Sequence, residues 1–477
     1  MGRTNRVRAK KRTVSARPLK LGCIPEFVEL CQWMKSNSWR PVAKLCLATF
    51  PETGRGLMTL TSLKPQDLIV QIPAKLLFTR SRVLELLPQL GSLRLTTAEI
   101  LTLFLIHCRQ NCLSQKYVAT LPHEFSVGGL CSSEETEKLP HFLKKVLAPA
   151  QENLLSKFLK LKQIWTDLFQ SELPLSLFHW AWCSVNTRAV YYKDSLTKQS
   201  ENNMALAPYL DLLNHDPNAV VKAGFNPESQ CYEIRTLQPV KKYQQVFINY
   251  GPHDNVKLFL EYGFIVPGNI HSTVEFSIEF LLNFFPNANW KKKQLISQQS
   301  KNFFCHREGF SWDAKIALTI LCSVSSEMMH INHPYEISPV KDKLVETKGY
   351  QVVAGLLKQF EQQQECDSSH TTASFSVARM LLEDTVSVLK STLSSLETEW
   401  KEMKCIVLSP EDCLCNYLGN FRDTVEKHYK NKITLMLNWM FCFVRISHVA
   451  NVIISWPIIT SICLPAPAII PLYFDRP

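Results

Sequence analysis

Glycine is scarce in this chain, with 15 among 477 residues, which excludes a large glycine-rich nucleotide loop and any collagen-like repeat. No apolar stretch follows the first methionine, so no secretory signal is expected. The 16 cysteines are therefore expected to be reduced, intracellular thiols. They also lack metal-ligand spacing: Cys413 and Cys415 are the nearest pair, and no second pair completes a zinc site, so no metal is expected. An excess of one sign is missing from the body of the chain. The formal net charge is +11, yet eight positive charges sit in the arm (Arg3, Arg6, Arg8, Lys10, Lys11, Arg12, Arg17 and Lys20), with no acid before Leu21. This excludes a broad nucleic-acid surface on the folded body. The arm reads either as a solvated tail or as a nuclear-import address with weak phosphate contacts. Charge is absent altogether between Ile446 and Phe474. That length suits a membrane helix, but Pro457, Pro465, Pro467 and Pro471 would break it, so a membrane span is not expected.

What is present is an ordinary globular composition, 46% hydrophobic and 20% charged, long enough for two or three domains. A short amphipathic helix is expected from Phe27 to Lys35. Strands are expected over Ala43–Thr49, Leu57–Leu60 and Leu68–Ile72, with Gly54-Arg55-Gly56 as the turn between the first two. The pattern then changes to helical over Thr96–Cys108, Leu143–Phe169 and Leu175–Val185. Strands return at Val220–Phe225, Cys231–Thr236 and Gln245–Asn249. Beyond about residue 285 the pattern is almost wholly helical: Asp313–Met328, Lys341–Gln363, Ser376–Met403 and Glu411–Leu437, with a polar loop near residues 362–372. The expected organisation is a basic arm (1–24), a β-rich domain (25–273) with a helical insert (about 90–185), a helical domain (285–437) and an apolar tail (438–477). The fold class is α+β.

Three segments carry chemistry. Gly54-Arg55-Gly56 allows positive φ and close approach of backbone amides to a ligand, although an ordinary hairpin turn would look the same. Asn214-His215, at the end of Pro208-Tyr209-Leu210-Asp211-Leu212-Leu213, could end a helix or offer a donor and an acceptor to an adenine edge. Phe247-Ile248-Asn249-Tyr250-Gly251 is followed by Glu261-Tyr262-Gly263-Phe264, two tyrosines each preceding a glycine. Each alone could be packing.

In this order the three segments resemble the SET-domain signature, and the helical insert and helical C-terminal region are similar to the Rubisco large-subunit methyltransferase branch. The resemblance covers about residues 25 to 435. It implies a pseudoknot-like threading, in which the closing segment passes beside Asn214-His215, against the general rarity of knots. It also implies S-adenosylmethionine as cofactor. Gly54, Arg55 and Gly56 would lie near its methionine end, with Asp67 and Ile69 facing it. Arg188 would approach its carboxylate, a bidentate match, and Asn214 and His215 would hold its adenine. Tyr250 would be the catalytic tyrosine at the methyl-transfer channel, and Tyr262 the second channel tyrosine. Lysine-specific relatives usually carry an aromatic residue two positions after that arginine, and a histidine-modifying relative carries asparagine. This chain has Val190, followed by Tyr191 and Tyr192. The cysteine-rich motif that closes many histone enzymes is missing, so the helical region must support the site.

The expected activity is S-adenosylmethionine-dependent methylation of a protein lysine, on a histone tail or a non-histone protein, by a monomer in nucleus and cytoplasm. The alternatives are a protein-histidine methyltransferase and a non-catalytic scaffold that binds proteins. If the basic arm is an address, deleting residues 1–20 shifts a fluorescent fusion out of the nucleus and leaves activity in vitro unchanged. An unaltered distribution assigns the arm to solvent.

Overall fold

The computed structural model describes residues 19–20, 24–111, 114–139, 141–193, 203–299, 303–340, 342–362 and 373–407. The rest of the basic arm, the polar loop around residues 363–372, Cys413 and Cys415, the helix expected over Glu411–Leu437 and the apolar tail lie outside these residues. The chain divides into two compact units, Met1–Thr398 and Glu399–Pro477. Of the second, only the end of the helix Ala373–Val407 is described. The sheets, the cores and the site all belong to the first.

The fold is α+β, built from small sheets. β1 (Leu19–Lys20), β2 (Leu45–Phe50) and β3 (Gly54–Thr59) form an antiparallel sheet in that order. β4 (Leu68–Pro73) pairs with β10 (Cys231–Thr236), which pairs with β9 (Val221–Asn226). β5 (Phe78–Thr79) and β6 (Ala189–Tyr191) flank β7 (Met204–Leu206). β8 (Asn214–His215) runs parallel to β11 (Phe247–Ile248). Residues just before β11 also join β3, through the Met58–Gln245 bridge and the bond from Val246 N to the Leu57 carbonyl. Gly54-Arg55-Gly56 is not the turn itself: the turn is Pro51–Thr53, and the glycines open β3. The reason is register, since Phe50 pairs with Gly54 and φ of +66° at Gly54 lets the chain leave the turn.

Helices cover this β layer. Pro25–Ser36 buries Phe27, Leu30 and Met34. Thr97–Gln110 buries ten residues, seven of them apolar. Its start is fixed by a capping box between Thr96 and Glu99. The Glu99 carboxylate is inaccessible and also accepts Lys157 (3.0 Å) and Lys160 (2.8 Å) from the helix His141–Phe169, tying the two insert helices together. Among the described residues, no helix is long and apolar enough to cross a membrane.

The first hydrophobic core runs from Phe27 to Val246 and the second from Val274 to Leu389. The second contains a sheet that the helical periodicity does not suggest: β12 (Thr273–Glu275), β13 (Phe304–His306) and β14 (Gly309–Phe310), in that order. Strands of two or three residues are too short to show alternation. The helix expected over Asp313–Met328 stops at Cys322, where Ser323 adopts an extended conformation. A third, small cluster joins Leu143 and Leu147 of the insert to Phe259 and to Phe375, Ala378 and Leu381 of the helix Ala373–Val407. It seats the second core's long helix beside the segment that carries Tyr262.

Glu99 generates a stability test. Burial raises its pKa, but the bonds from Lys160, Thr96 N–H and Lys157 together outweigh burial and hold it below the ordinary value. Glu99→Ala removes the cap and the shared ion pair, and unfolding free energy measured in urea should drop by about 2 to 3 kcal/mol, less than for a wholly buried pair because both lysines can rehydrate. A loss within experimental error would assign the joint between these helices to apolar contact alone.

Candidate active site

The short parallel pair β8–β11 builds the site. Phe247 faces Asn214 and Ile248 faces His215, and Asp216 N–H donates to the Ile248 carbonyl at 3.0 Å. Tyr250 therefore emerges beside His215. Its N–H donates to His215 Nδ1 at 3.0 Å and its hydroxyl donates to the Leu213 carbonyl at 2.8 Å. Just upstream, Tyr209 holds φ +74°, ψ −42°, a strained conformation for a non-glycine residue. Its ring is locked against Phe27 and Trp39. This bend leads into the single helical turn Leu210–Leu212, which turns Asp211 inward.

Tyr262 ends a π-helical turn, Leu258–Tyr262, stopped by Gly263 at φ +79°, and such turns are frequent at functional sites. A Cβ on Gly263 would sit 2.7 Å from Val127 N and from the Ser126 carbonyl carbon, so only glycine fits there. The Tyr250 and Tyr262 rings lie 5.2 Å apart between centroids, and Phe264 lies 6.5 and 6.2 Å from them. Burial pushes the Tyr250 phenol above its ordinary pKa, so its hydroxyl stays protonated at neutral pH. Both tyrosines line a cavity of about 260 Å³, together with Arg188, Val190, Asp211 and Leu213.

Below the tyrosines is a charge cluster. Arg188 Nη1 donates to the Asp211 carbonyl at 2.8 Å and lies 3.5 Å from its carboxylate. The fully buried Tyr117 donates to the same carboxylate at 3.0 Å. Burial raises the Asp211 pKa, and Arg188, Tyr117 and Arg55 oppose it. Arg55, which donates to the Thr120 carbonyl at 2.8 Å, has its pKa lowered by burial and then by repulsion from Arg188. Arg188 alone is paired with the Asp211 carboxylate, while Arg55 feels both Asp211 and Glu26 at longer range, and Arg188 Nε is buried without a partner.

Asn214 donates to the Arg55 carbonyl at 3.0 Å and the Thr53 carbonyl at 3.3 Å, which joins the β3 entrance to β8. A Cβ on Gly56 would sit 2.5 Å from Gln245 Nε2 and 2.8 Å from Asn214 Nδ2, so a side chain there would push both amides out of place. Gly54 has open space where a Cβ would stand and serves the turn. The structure therefore brings together Arg55, Gly56, Arg188, Asn214, His215, Tyr250 and Tyr262. It gives Asp67 and Ile69 other work. The exposed Asp67 accepts Lys64 N–H at 2.8 Å and closes a surface turn, and Ile69 is 2% exposed in the first core. Neither lines the cavity. Sequence reasoning missed Asp211 and Tyr117: Asp211 stands among the apolar residues before Asn214 without a distinguishing pattern, and nothing around Tyr117 marks it.

The SET-domain family profile matches residues 54–251. SET domain-containing protein 4 from Artemia parthenogenetica is 37% identical over 322 residues, covering 65% of this chain and 81% of that protein. The chain belongs to the SET-domain family. The human protein of the same name is 35% identical, over 67% of this chain and 78% of its own. More distant relatives include the ribosomal lysine N-methyltransferase set11 of Schizosaccharomyces pombe, 33% identical over 32% of this chain and 38% of its own, and the actin-histidine N-methyltransferase of Xenopus tropicalis, 27% identical over 53% and 45%. Among solved structures, the SET domain of LSMT bound to lysine and AdoHcy superposes with a TM-score of 0.54 at 18% identity, covering 82% of this chain and 98% of that one; this likeness is one of fold.

His215 makes this SET domain sensitive to acid. Its Nδ1 accepts a hydrogen bond, so the neutral ring carries its proton on Nε2, which is buried without a partner. Burial holds the pKa down at about 4, from an ordinary 6.5. The folded state then binds fewer protons than the unfolded one between these values. Stability is complete above pH 6.5 and falls as pH drops towards 4, by at most about 3 kcal/mol from this group. Unfolding midpoints measured across that window should slope less steeply in His215→Gln. Identical slopes would remove His215 from the linkage.

Proposed function

We propose that this SET-domain protein is an S-adenosylmethionine-dependent protein-lysine N-methyltransferase acting on histone or non-histone proteins in nucleus and cytoplasm. The observation that carries the reading is the pair Tyr250–Tyr262 on one wall of a cavity whose floor holds Arg188 and Asp211.

The residues fit the cofactor. Arg188 Nε, a buried charged donor without a partner, suits the methionine carboxylate of S-adenosylmethionine. His215 Nε2–H, a buried donor without a partner, and Asn214 Oδ1, whose amide nitrogen is engaged by the Thr53 and Arg55 carbonyls, suit its polar atoms. When bound, the cofactor supplies a methyl group made electrophilic by its sulfonium. The protein's part is orientation and electrostatics. Burial in the cavity favours the neutral form of an incoming amine over its ammonium. The Tyr250 hydroxyl, held in place by the Leu213 carbonyl, orients that amine, and Tyr262 sets the room around it.

Val190 favours lysine over histidine. It presents an aliphatic surface to the cavity, beside Leu213 and Ile248, which suits a lysine's methylenes. The relative that modifies actin histidine keeps the second reading in view. Labelled methyl transfer to nuclear and cytosolic extracts, with the modified residue mapped by mass spectrometry, decides between lysine and histidine. No transfer to any protein would leave a binding scaffold.

Tyr250→Phe removes one hydroxyl and almost no volume. Methyl transfer should fall by roughly two to three orders of magnitude, about 3 to 4 kcal/mol of transition-state stabilisation. Cofactor affinity should hold, and only the Leu213 carbonyl loses a donor, for about 1 kcal/mol of stability. Tyr262→Phe should be milder and alter the number of methyl groups added. Full turnover in Tyr250→Phe would rule out the catalytic assignment.

A further inference from the structure

A polar cluster lies where the segment carrying Tyr262 meets the long helix Ala373–Val407. Its members are almost inaccessible: Asn255 1%, Asn269 1%, Ser272 4% and Asp384 7% exposed. Asn255 clamps Val266 twice: its Nδ2 donates to the Val266 carbonyl at 2.8 Å and its Oδ1 accepts Val266 N–H at 3.0 Å. Residues 256–265, with Tyr262 among them, thereby become a loop closed at its base by one amide. Asn269 braces the same base, donating to the His253 carbonyl at 2.9 Å and to Asn255 Oδ1 at 3.2 Å.

An amide in that position has two faces, and only one orientation serves both Val266 groups. Asp384 selects it. Asp384 Oδ2 accepts Asn255 Nδ2 at 2.7 Å and the Ser272 hydroxyl at 2.8 Å, and its Oδ1 accepts Arg307 Nη2 at 2.8 Å and Gly268 N–H at 3.4 Å. Four donors converge on one carboxylate carried by a helix of the second core. Burying a carboxylate costs desolvation that an apolar side chain would avoid, so stability alone is a weak reason for it. What the charge supplies is a fixed orientation for Asn255 and hence for the loop.

We propose that Asp384 is a positioning residue for methyl transfer: through Asn255 it fixes the loop that holds the Tyr262 ring against Tyr250. The second core then belongs to the catalytic apparatus as well as supporting it. The inference rests on the methyltransferase reading for its effect on turnover, but the geometry can be tested without a methyl acceptor.

The test places 3-fluorotyrosine at position 262 of the full chain and follows its fluorine resonance. Asp384→Ala removes the carboxylate, and Asp384→Asn keeps its shape while turning one acceptor into a donor that faces other donors. Thr392→Ala is the control. That hydroxyl donates to the His306 carbonyl at 2.8 Å from the same helix and touches none of the cluster. In both Asp384 variants the resonance should move or split. S-adenosylmethionine affinity should stay within about twofold, and transfer at saturating substrate should fall about tenfold with KM little changed. Thr392→Ala should lower the melting temperature and leave the resonance in place. Should Asp384→Ala fail to fold, the isosteric Asp384→Asn carries the measurement. An unmoved resonance in a folded Asp384 variant, or an equal movement in Thr392→Ala, overturns the proposal. An intact resonance response in a chain that methylates nothing would instead count against the methyltransferase reading.

Discussion

Two residues of parallel pairing, Asn214–His215 against Phe247–Ile248, bring Asn214, His215 and Tyr250 together, and the rest of the site is arranged around them. Parallel neighbours need a crossover, and here the β9–β10 hairpin provides it. The pairing delivers Tyr250 to His215 and to the Leu213 carbonyl. On its other side it lets Asn214 reach back to the carbonyls of Thr53 and Arg55. A slip of one residue would turn each side chain to the opposite face. The strained bend at Tyr209 and the close approach at Gly56 both serve this register.

Around the pairing, polar groups are divided between two buried centres. Asp211 gathers Arg188 and Tyr117 beneath the cavity, and Asp384 gathers Asn255, Ser272 and Arg307 behind the segment that bears Tyr262. The first leaves Arg188 Nε without a partner and matches an anionic ligand. The second is saturated with donors and matches a joint. The tyrosine pair stands between a place built to receive something and a place built to stay still, the division of labour expected of preorganised catalysis.

Much of this was legible in the chain. The glycine pair, the Asn-His pair and the two Tyr-Gly pairs are residue types with narrow physical uses, and their order pointed to the fold family and to the two tyrosines of the cavity. Thr96 and Glu99 announce a helix start by their spacing alone. Other parts were hidden for definite reasons. Asp67 sits at the right distance along the chain but belongs to a turn, because a carboxylate three residues after Lys64 satisfies that lysine's own amide first. Strands β12 to β14 are shorter than any period that could reveal them. Asp384 follows Leu381 and Leu382 on an amphipathic helix and looks like a solvent-facing position. Only the arrival of Asn255 and Ser272, more than a hundred positions earlier, makes it internal.

That separation has a temporal side. The bond from Asn214 to the Arg55 carbonyl closes 159 residues of chain, and the bond from Asn255 to Asp384 closes 129. A polypeptide made from its N-terminus folds domain by domain as it emerges, so the glycine entrance, the Asn-His strand and Tyr250 can assemble while the helix with Asp384 is still unmade. Until that helix arrives, Asn255 can reach Val266 but has no carboxylate to orient it. The brace on the loop of Tyr262 is thus the late arrival, supplied by a carboxylate translated long after the residues it orients.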